Sequence, residues 1–130
     1  QLAVIRQMVR DLDQPLEVVG CPTVRDEDGL ALSSRNVYLS PEERAQALSL
    51  SRGLRRAKAV YDDGVRDAAS LRQFVEDEIR AQPLANIDYV SLADAVTLEE
   101  LTGPLMTPAL LSLAVRFGTT RLIDNVTLGE

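Results

Sequence analysis

The 130-residue chain contains no histidine at all. That excludes any nucleophile activated by an imidazole, and it excludes histidine as a proton shuttle near neutral pH. There is one cysteine, Cys21, so no internal disulfide can form, and a reducing, cytoplasmic compartment is expected. No apolar run approaches the roughly 18 residues needed to cross a bilayer, so no membrane partner is expected. A basic excess is missing too: 14 lysines and arginines stand against 20 acidic residues, a net charge of −6. Nucleic-acid modules usually need a basic face, and none is expected here. Arg52, Arg55, Arg56 and Lys58 do cluster, but without interleaved aromatics they read as a solvated helix face.

What is present is an ordinary globular composition. Apolar residues make up 45% of the chain, enough at this length to bury one core. The opening residues show no basic stretch followed by an apolar one, so no leader is read there. Gln1 already lies inside a helical pattern, with no initiating methionine and no cap. The expectation is a piece of a longer protein.

Leu2, Ile5, Val9 and Leu12 recur at helical spacing, and Pro15 stops that helix. Leu16 to Val19 is a short apolar run between turn residues. It reads as a buried strand, the second half of a helix–strand pair from an α/β domain. Thr23 to Leu32 reads as a hairpin-like excursion, turning at Asp26-Glu27-Asp28-Gly29. Ser40-Pro41-Glu42-Glu43 is a helix start with a capping box. That helix buries Ala47, Leu50, Leu54, Ala57 and Tyr61, and Gly64 ends it. A second helix begins near Asp67 or Ser70 and closes at Pro83. Ile87 to Leu92 is a strand, and Thr97-Leu98-Glu99-Glu100 looks like a further capping box. Leu111, Leu113, Val115 and Phe117 alternate with smaller or polar residues, as in a half-buried strand. Gly118-Thr119-Thr120 turns the chain into a partner strand with Leu122, Val126 and Leu128 on one face. The fold class is therefore α+β: helices on a small, mainly antiparallel three-stranded sheet, preceded by a helix and strand of another domain.

One stretch carries possible chemistry. Leu32-Ser33-Ser34-Arg35-Asn36 sets two hydroxyls and a guanidinium together behind a turn. Arginine grips phosphate oxygens in a bidentate way, hydroxyls add donors, and loop N–H groups can form an anion nest. Taken alone, so short a run reads first as a polar turn. Other candidates are weaker. Cys21 reads as a small buried hydrophobe. Asp26, Glu27 and Asp28 lack spaced partners, so a solvated turn is read there and no metal site. Arg25 either adds positive potential near a bound phosphate or is a surface residue. Asp124 and Asn125 read as holding the last strand and its turn.

The blocks VVGCPTVRDEDGLALSSRN from Val18, YLSPEERAQA from Tyr38 and RFGTTRLIDN from Arg116 together resemble the pantothenate synthetase (pantoate–β-alanine ligase) family. The resemblance runs end to end and is weakest in the second helix and around Ala93 to Pro108. It implies a Rossmann-like nucleotidyltransferase parent. Residues 1–23 would be the end of its nucleotide-binding domain, and residues 24–130 its C-terminal lid. It also implies the substrates ATP with Mg2+, pantoate and β-alanine, with AMP and pyrophosphate released through a pantoyl adenylate. Ser33, Ser34 and Arg35 become the catalytic phosphate loop. Val24 and Leu32 join them in binding ATP, with the Val24 backbone meeting adenine, and Gln1 holds pantoate. A homodimer formed through the N-terminal domain is implied for the parent.

Two departures limit this. The family carries a histidine pair near its N-terminus and a Gly-Glu-Lys-Asp segment just upstream of the position of Gln1. This chain has neither, so it is expected to be inactive alone. Two alternatives stay open: a folded, non-catalytic interaction domain, or a related nucleotidyltransferase acting on another acid.

Overall fold

The computed structural model describes residues 1–129. The described residues form three α-helices, α1 (Leu2–Asp11), α2 (Pro41–Asp62) and α3 (Ala68–Arg80), and three strands, β1 (Ala85–Asp94), β2 (Ala109–Phe117) and β3 (Thr120–Leu128). The strands pair in the order β1-β2-β3, antiparallel throughout.

Helix α2 starts where the sequence demands. Ser40 accepts from the Glu43 N–H at 3.1 Å, and the Glu43 carboxylate accepts from the Ser40 N–H at 2.8 Å. Two orphan donors of the first turn are thus satisfied reciprocally. Gly64, at φ +109°, lets the chain leave the helix. Asp67 caps α3 through the Ser70 N–H at 2.8 Å.

Both helices lie on one face of the sheet. Their apolar stripes (Leu50, Leu54 and Ala57 from α2, Leu71, Val75 and Ile79 from α3) meet Leu111, Leu113, Val115 and Phe117 of β2, all fully buried or nearly so. At full burial each large side chain contributes about 1.5–3 kcal/mol. The helices also approach each other closely. Gly53, mid-α2, faces the α3 backbone, and a Cβ there would lie 3.3 Å from Val75 Cα.

Strand β3 follows β2 through a two-residue turn, Gly118-Thr119, with Gly118 at φ +58°. Register slips between Ile87 and Tyr89, leaving Asp88 as a bulge residue on β1. The Asp88 carboxylate receives Arg116 Nε at 3.1 Å and Arg121 Nε at 2.7 Å. These bonds, Arg121 first, hold its pKa below the ordinary carboxylate value.

Four expectations are corrected. Leu16 to Val19 forms no strand. A parallel strand needs neighbours for its N–H and C=O groups; none of β1, β2 and β3 pairs with this segment, and Leu16 and Val19 are exposed. Cys21, in the same segment, is exposed rather than buried. Thr97 to Glu100 starts no helix. Asp94 accepts from the Val96 and Thr97 N–H groups instead, Leu98 takes φ +62°, and Glu100 pairs back on Ala93. Arg25 is neither a free surface residue nor spare positive potential, for the reason given below.

Candidate functional site

The Leu32–Asn36 segment follows a small hairpin. Arg25 pairs with Ala31, and the Leu32 N–H donates to Val24 O at 2.9 Å. Gly29, at φ +96°, makes the turn, and its N–H donates to Asp26 O at 2.9 Å. Helix α2 clamps this turn from one side: Arg44 reaches Asp26 at 3.0 Å and Asp28 at 3.1 Å. Two of the three carboxylates of the acidic cluster thus share one arginine. Among the described residues, no group of three or more His, Cys, Asp or Glu could hold a metal ion.

Beyond the hairpin the chain enters a short 3-10 helix, Ser34–Tyr38. Ser33 caps it, its Oγ accepting the Arg35 N–H at 3.2 Å. The hydroxyl hydrogen of Ser33 remains available as a donor. Asn36 Nδ2 donates to Ala31 O at 3.1 Å, tying the 3-10 helix back to the hairpin. Leu32, Ser33, Ser34 and Arg35 are all exposed.

Arg35 differs from the arginines around it. From Arg25 onward, every other arginine engages a protein group. Arg25, Arg44, Arg52, Arg72, Arg80, Arg116 and Arg121 meet carboxylates. Arg55 and Arg66 meet carbonyls, and Arg56 lies over Phe74. The guanidinium of Arg35 meets none of these among the described residues. Five fixed donors are left to solvent or to an anion.

The Ser33–Arg35 loop borders a depression of about 300 Å³ whose far wall is β3, from Arg121 to Asn125. A larger cleft, about 810 Å³, lies between α1 and the outer face of the sheet. Gln1, Arg6, Tyr89 and Ser112 line it. Arg121, Ile123, Asp124 and Asn125 line both hollows, so the two adjoin across β3. The structure therefore sets Gln1 and the Ser33–Arg35 loop around the same strand. Val24 is exposed, with its carbonyl already held by Leu32.

The residue pair that sequence reasoning missed is Arg25 and Asp124, 99 positions apart. Arg25 Nη1 and Nη2 donate to Asp124 Oδ2 and Oδ1 at 2.7 and 2.8 Å. Nη1 also donates to Gly29 O at 3.1 Å. The Asp124 side chain is 3% exposed. Its hydrogen bonds to Arg25 raise the arginine's pKa, against the opposing effect of burial. A signal existed. Asp124 shares the inward face of β3 with Leu122, Val126 and Leu128, and a carboxylate on a buried face needs a partner.

Three comparisons bear on this geometry. The family model described as pantoate-beta-alanine ligase matches residues 1–127. A pantothenate synthetase of Pelotomaculum thermopropionicum is 55% identical over 130 residues, which is 100% of this chain and 46% of that protein. One from Clostridium novyi is 50% identical, covering 96% of this chain and 44% of the relative. The crystal structure of pantothenate synthetase from Thermus thermophilus superposes with a TM-score of 0.86 at 47% identity, over 96% of this chain and 45% of that one. A pantoate-beta-alanine ligase from Francisella tularensis, complexed with beta-gamma ATP and beta-alanine, gives 0.58 at 25% identity, over 97% and 39%. The chain thus spans somewhat less than half the length of the relatives it matches.

Proposed function

The chain belongs to the pantoate-beta-alanine ligase family, and from that premise we propose that it is the C-terminal part of an enzyme joining pantoate to beta-alanine with ATP. Residues 1–23 would close the nucleotide-binding domain, and residues 24–130 would form the lid over the nucleotide. The carboxylate of pantoate attacks the α-phosphorus of ATP, and pyrophosphate leaves. The amine of beta-alanine then attacks the acyl carbon of the pantoyl adenylate, and AMP leaves with its bonding electron pair. The first step is an in-line displacement, so positioning and charge stabilisation carry most of the catalysis.

The observation that carries the phosphate role is the unengaged guanidinium of Arg35, held on a capped 3-10 helix where every other arginine from Arg25 onward is engaged. In this reading Arg35 and Ser34 meet the β- and γ-phosphates and the departing pyrophosphate. Ser33 supports them with its remaining O–H, and Leu32 completes the loop. The N–H of Val24, which has no hydrogen bond among the described residues, meets adenine. Gln1 offers its amide to pantoate from the cleft beside α1. Magnesium would enter on the phosphates, as MgATP. The whole enzyme would be a cytoplasmic homodimer, paired through the half that this chain does not span.

The test is to restore the upstream sequence and measure AMP release. Release that requires both pantoate and beta-alanine is expected. A folded, ATP-binding protein that ignores pantoate would overturn the substrate assignment. In the same protein, Arg35→Ala should weaken transition-state stabilisation by about 2–4 kcal/mol, as for loss of an oxyanion donor. Pyrophosphate release at an unchanged rate would remove Arg35 from its role. The 130-residue chain alone should show no turnover.

A further inference from the structure

The phosphate loop does not hold its position by its own contacts. Its hydrogen bonds are local: Ser33 to Arg35, Asn36 to Ala31, Leu32 to Val24. The 3-10 helix rests against β3, but all five residues of Leu32–Asn36 are exposed or only half-buried. The preceding hairpin is tied to the body of the fold by Leu30, buried in the core, and to β3 by the two-pronged bond of Arg25 to Asp124. Arg25 sits at the base of the hairpin, opposite Ala31, one residue before the loop begins. Its third contact, to Gly29 O, braces the turn. Asp124 Oδ1 also accepts the Asn125 N–H at 2.8 Å. The same carboxylate therefore orders the strand residue on the far side of the depression.

The geometry points to Arg25 and Asp124 as a positioning pair for the Ser33-Ser34-Arg35 loop, setting its distance from β3 and hence the width of the phosphate-binding depression. This rests on the reading of that loop as phosphate-binding. Neither residue need touch the nucleotide. A guanidinium–carboxylate fork suits the task because two parallel hydrogen bonds fix orientation as well as distance. Arg44, with Asp26 and Asp28, holds the tip of the same hairpin on α2. The hairpin is thus anchored at its tip and at its base, and the loop extends from the anchored base.

The test compares the protein carrying its restored upstream sequence with its Asp124→Asn, Arg25→Lys and Arg35→Ala variants. Backbone amide relaxation reports loop order, and titration with MgATP reports affinity. In Asp124→Asn, the amides of Ser33 to Asn36 should become flexible (order parameters below about 0.6) while those of β2 stay rigid. MgATP affinity should fall about tenfold, the loss of one charge-assisted contact's worth of positioning. Arg25→Lys keeps the charge but loses the fork, and should show the same pattern more weakly. It serves as the test should Asp124→Asn fail to fold. Arg35→Ala should lose affinity with loop order intact. An ordered loop and unchanged affinity in both pair variants would overturn the positioning role. If Arg35→Ala binds MgATP like the parent protein, the phosphate reading fails. Loop order in the pair variants then decides the positioning role by itself.

Discussion

Gly53→Ala should destabilise the protein, although the same change in an isolated helix would stabilise it. Alanine is favoured over glycine in a helix interior by about 1 kcal/mol. Gly53 lies in the middle of α2, so that gain is available. Opposing it is the approach of α3. A Cβ at Gly53 would stand 3.3 Å from Val75 Cα and 3.4 Å from Val75 O. Both are backbone atoms in the interior of α3, whose other side packs on β1. They cannot rotate away as a flexible side chain could. Overpacking of this kind costs about 1–3 kcal/mol. The net expectation is a loss of about 1 kcal/mol. For 130 residues, an unfolding entropy near roughly 2.1 cal/mol/K per residue turns that into a fall in Tm of about 4 °C. The assay is thermal unfolding followed by circular dichroism, with Ala59→Gly as the control. Ala59 is exposed on the same helix, so its replacement by glycine should cost about 1 kcal/mol through propensity alone. Opposite substitutions in one helix should then both lower Tm. A higher Tm for Gly53→Ala would refute the claim that the α2 and α3 backbones touch there.

Two further outcomes are expected. Phe117 is fully buried at the end of β2, and Phe117→Ala should cost about 3–5 kcal/mol, read as a lower urea midpoint at unchanged slope. Asp67, Asp88 and Asp94 all have folded pKa values below the ordinary carboxylate value, chiefly through hydrogen bonds from Ser70, Arg121 and Thr97 respectively. Their contribution is therefore complete above the unfolded pKa and is lost as pH falls through the lower folded values. Tm should drop below about pH 4, and Asp94→Asn should reduce that drop. An identical acid profile in that variant would count against the Val96, Thr97 and Thr107 bonds.

The C-terminal fold was legible because its signals are local. The Ser40–Glu43 box, the helical stripe of α2 and the strict alternation of β2 each report their own environment. The loop proposed to bind phosphate could be picked out as residue types, since Ser33, Ser34 and Arg35 are adjacent. The failures are also physical. Leu16 to Val19 has a strand's composition, but a strand exists only through its neighbours. Thr97 to Glu100 has a capping box's spelling, but Asp94 takes the N–H groups that a helix start would have offered.

By itself, then, the sequence determined α2, α3 and the three strands of the sheet, the family and the residue types able to bind an anion, because spacing, caps and motifs are written within a few positions of one another. Only the tertiary structure decided that Arg25 belongs to Asp124, that Arg44 secures the hairpin turn, and that Arg35 alone among the later arginines is left unengaged by the described residues. Those outcomes depend on which side chains meet across separations of up to 99 positions, and packing, not local propensity, decides such meetings.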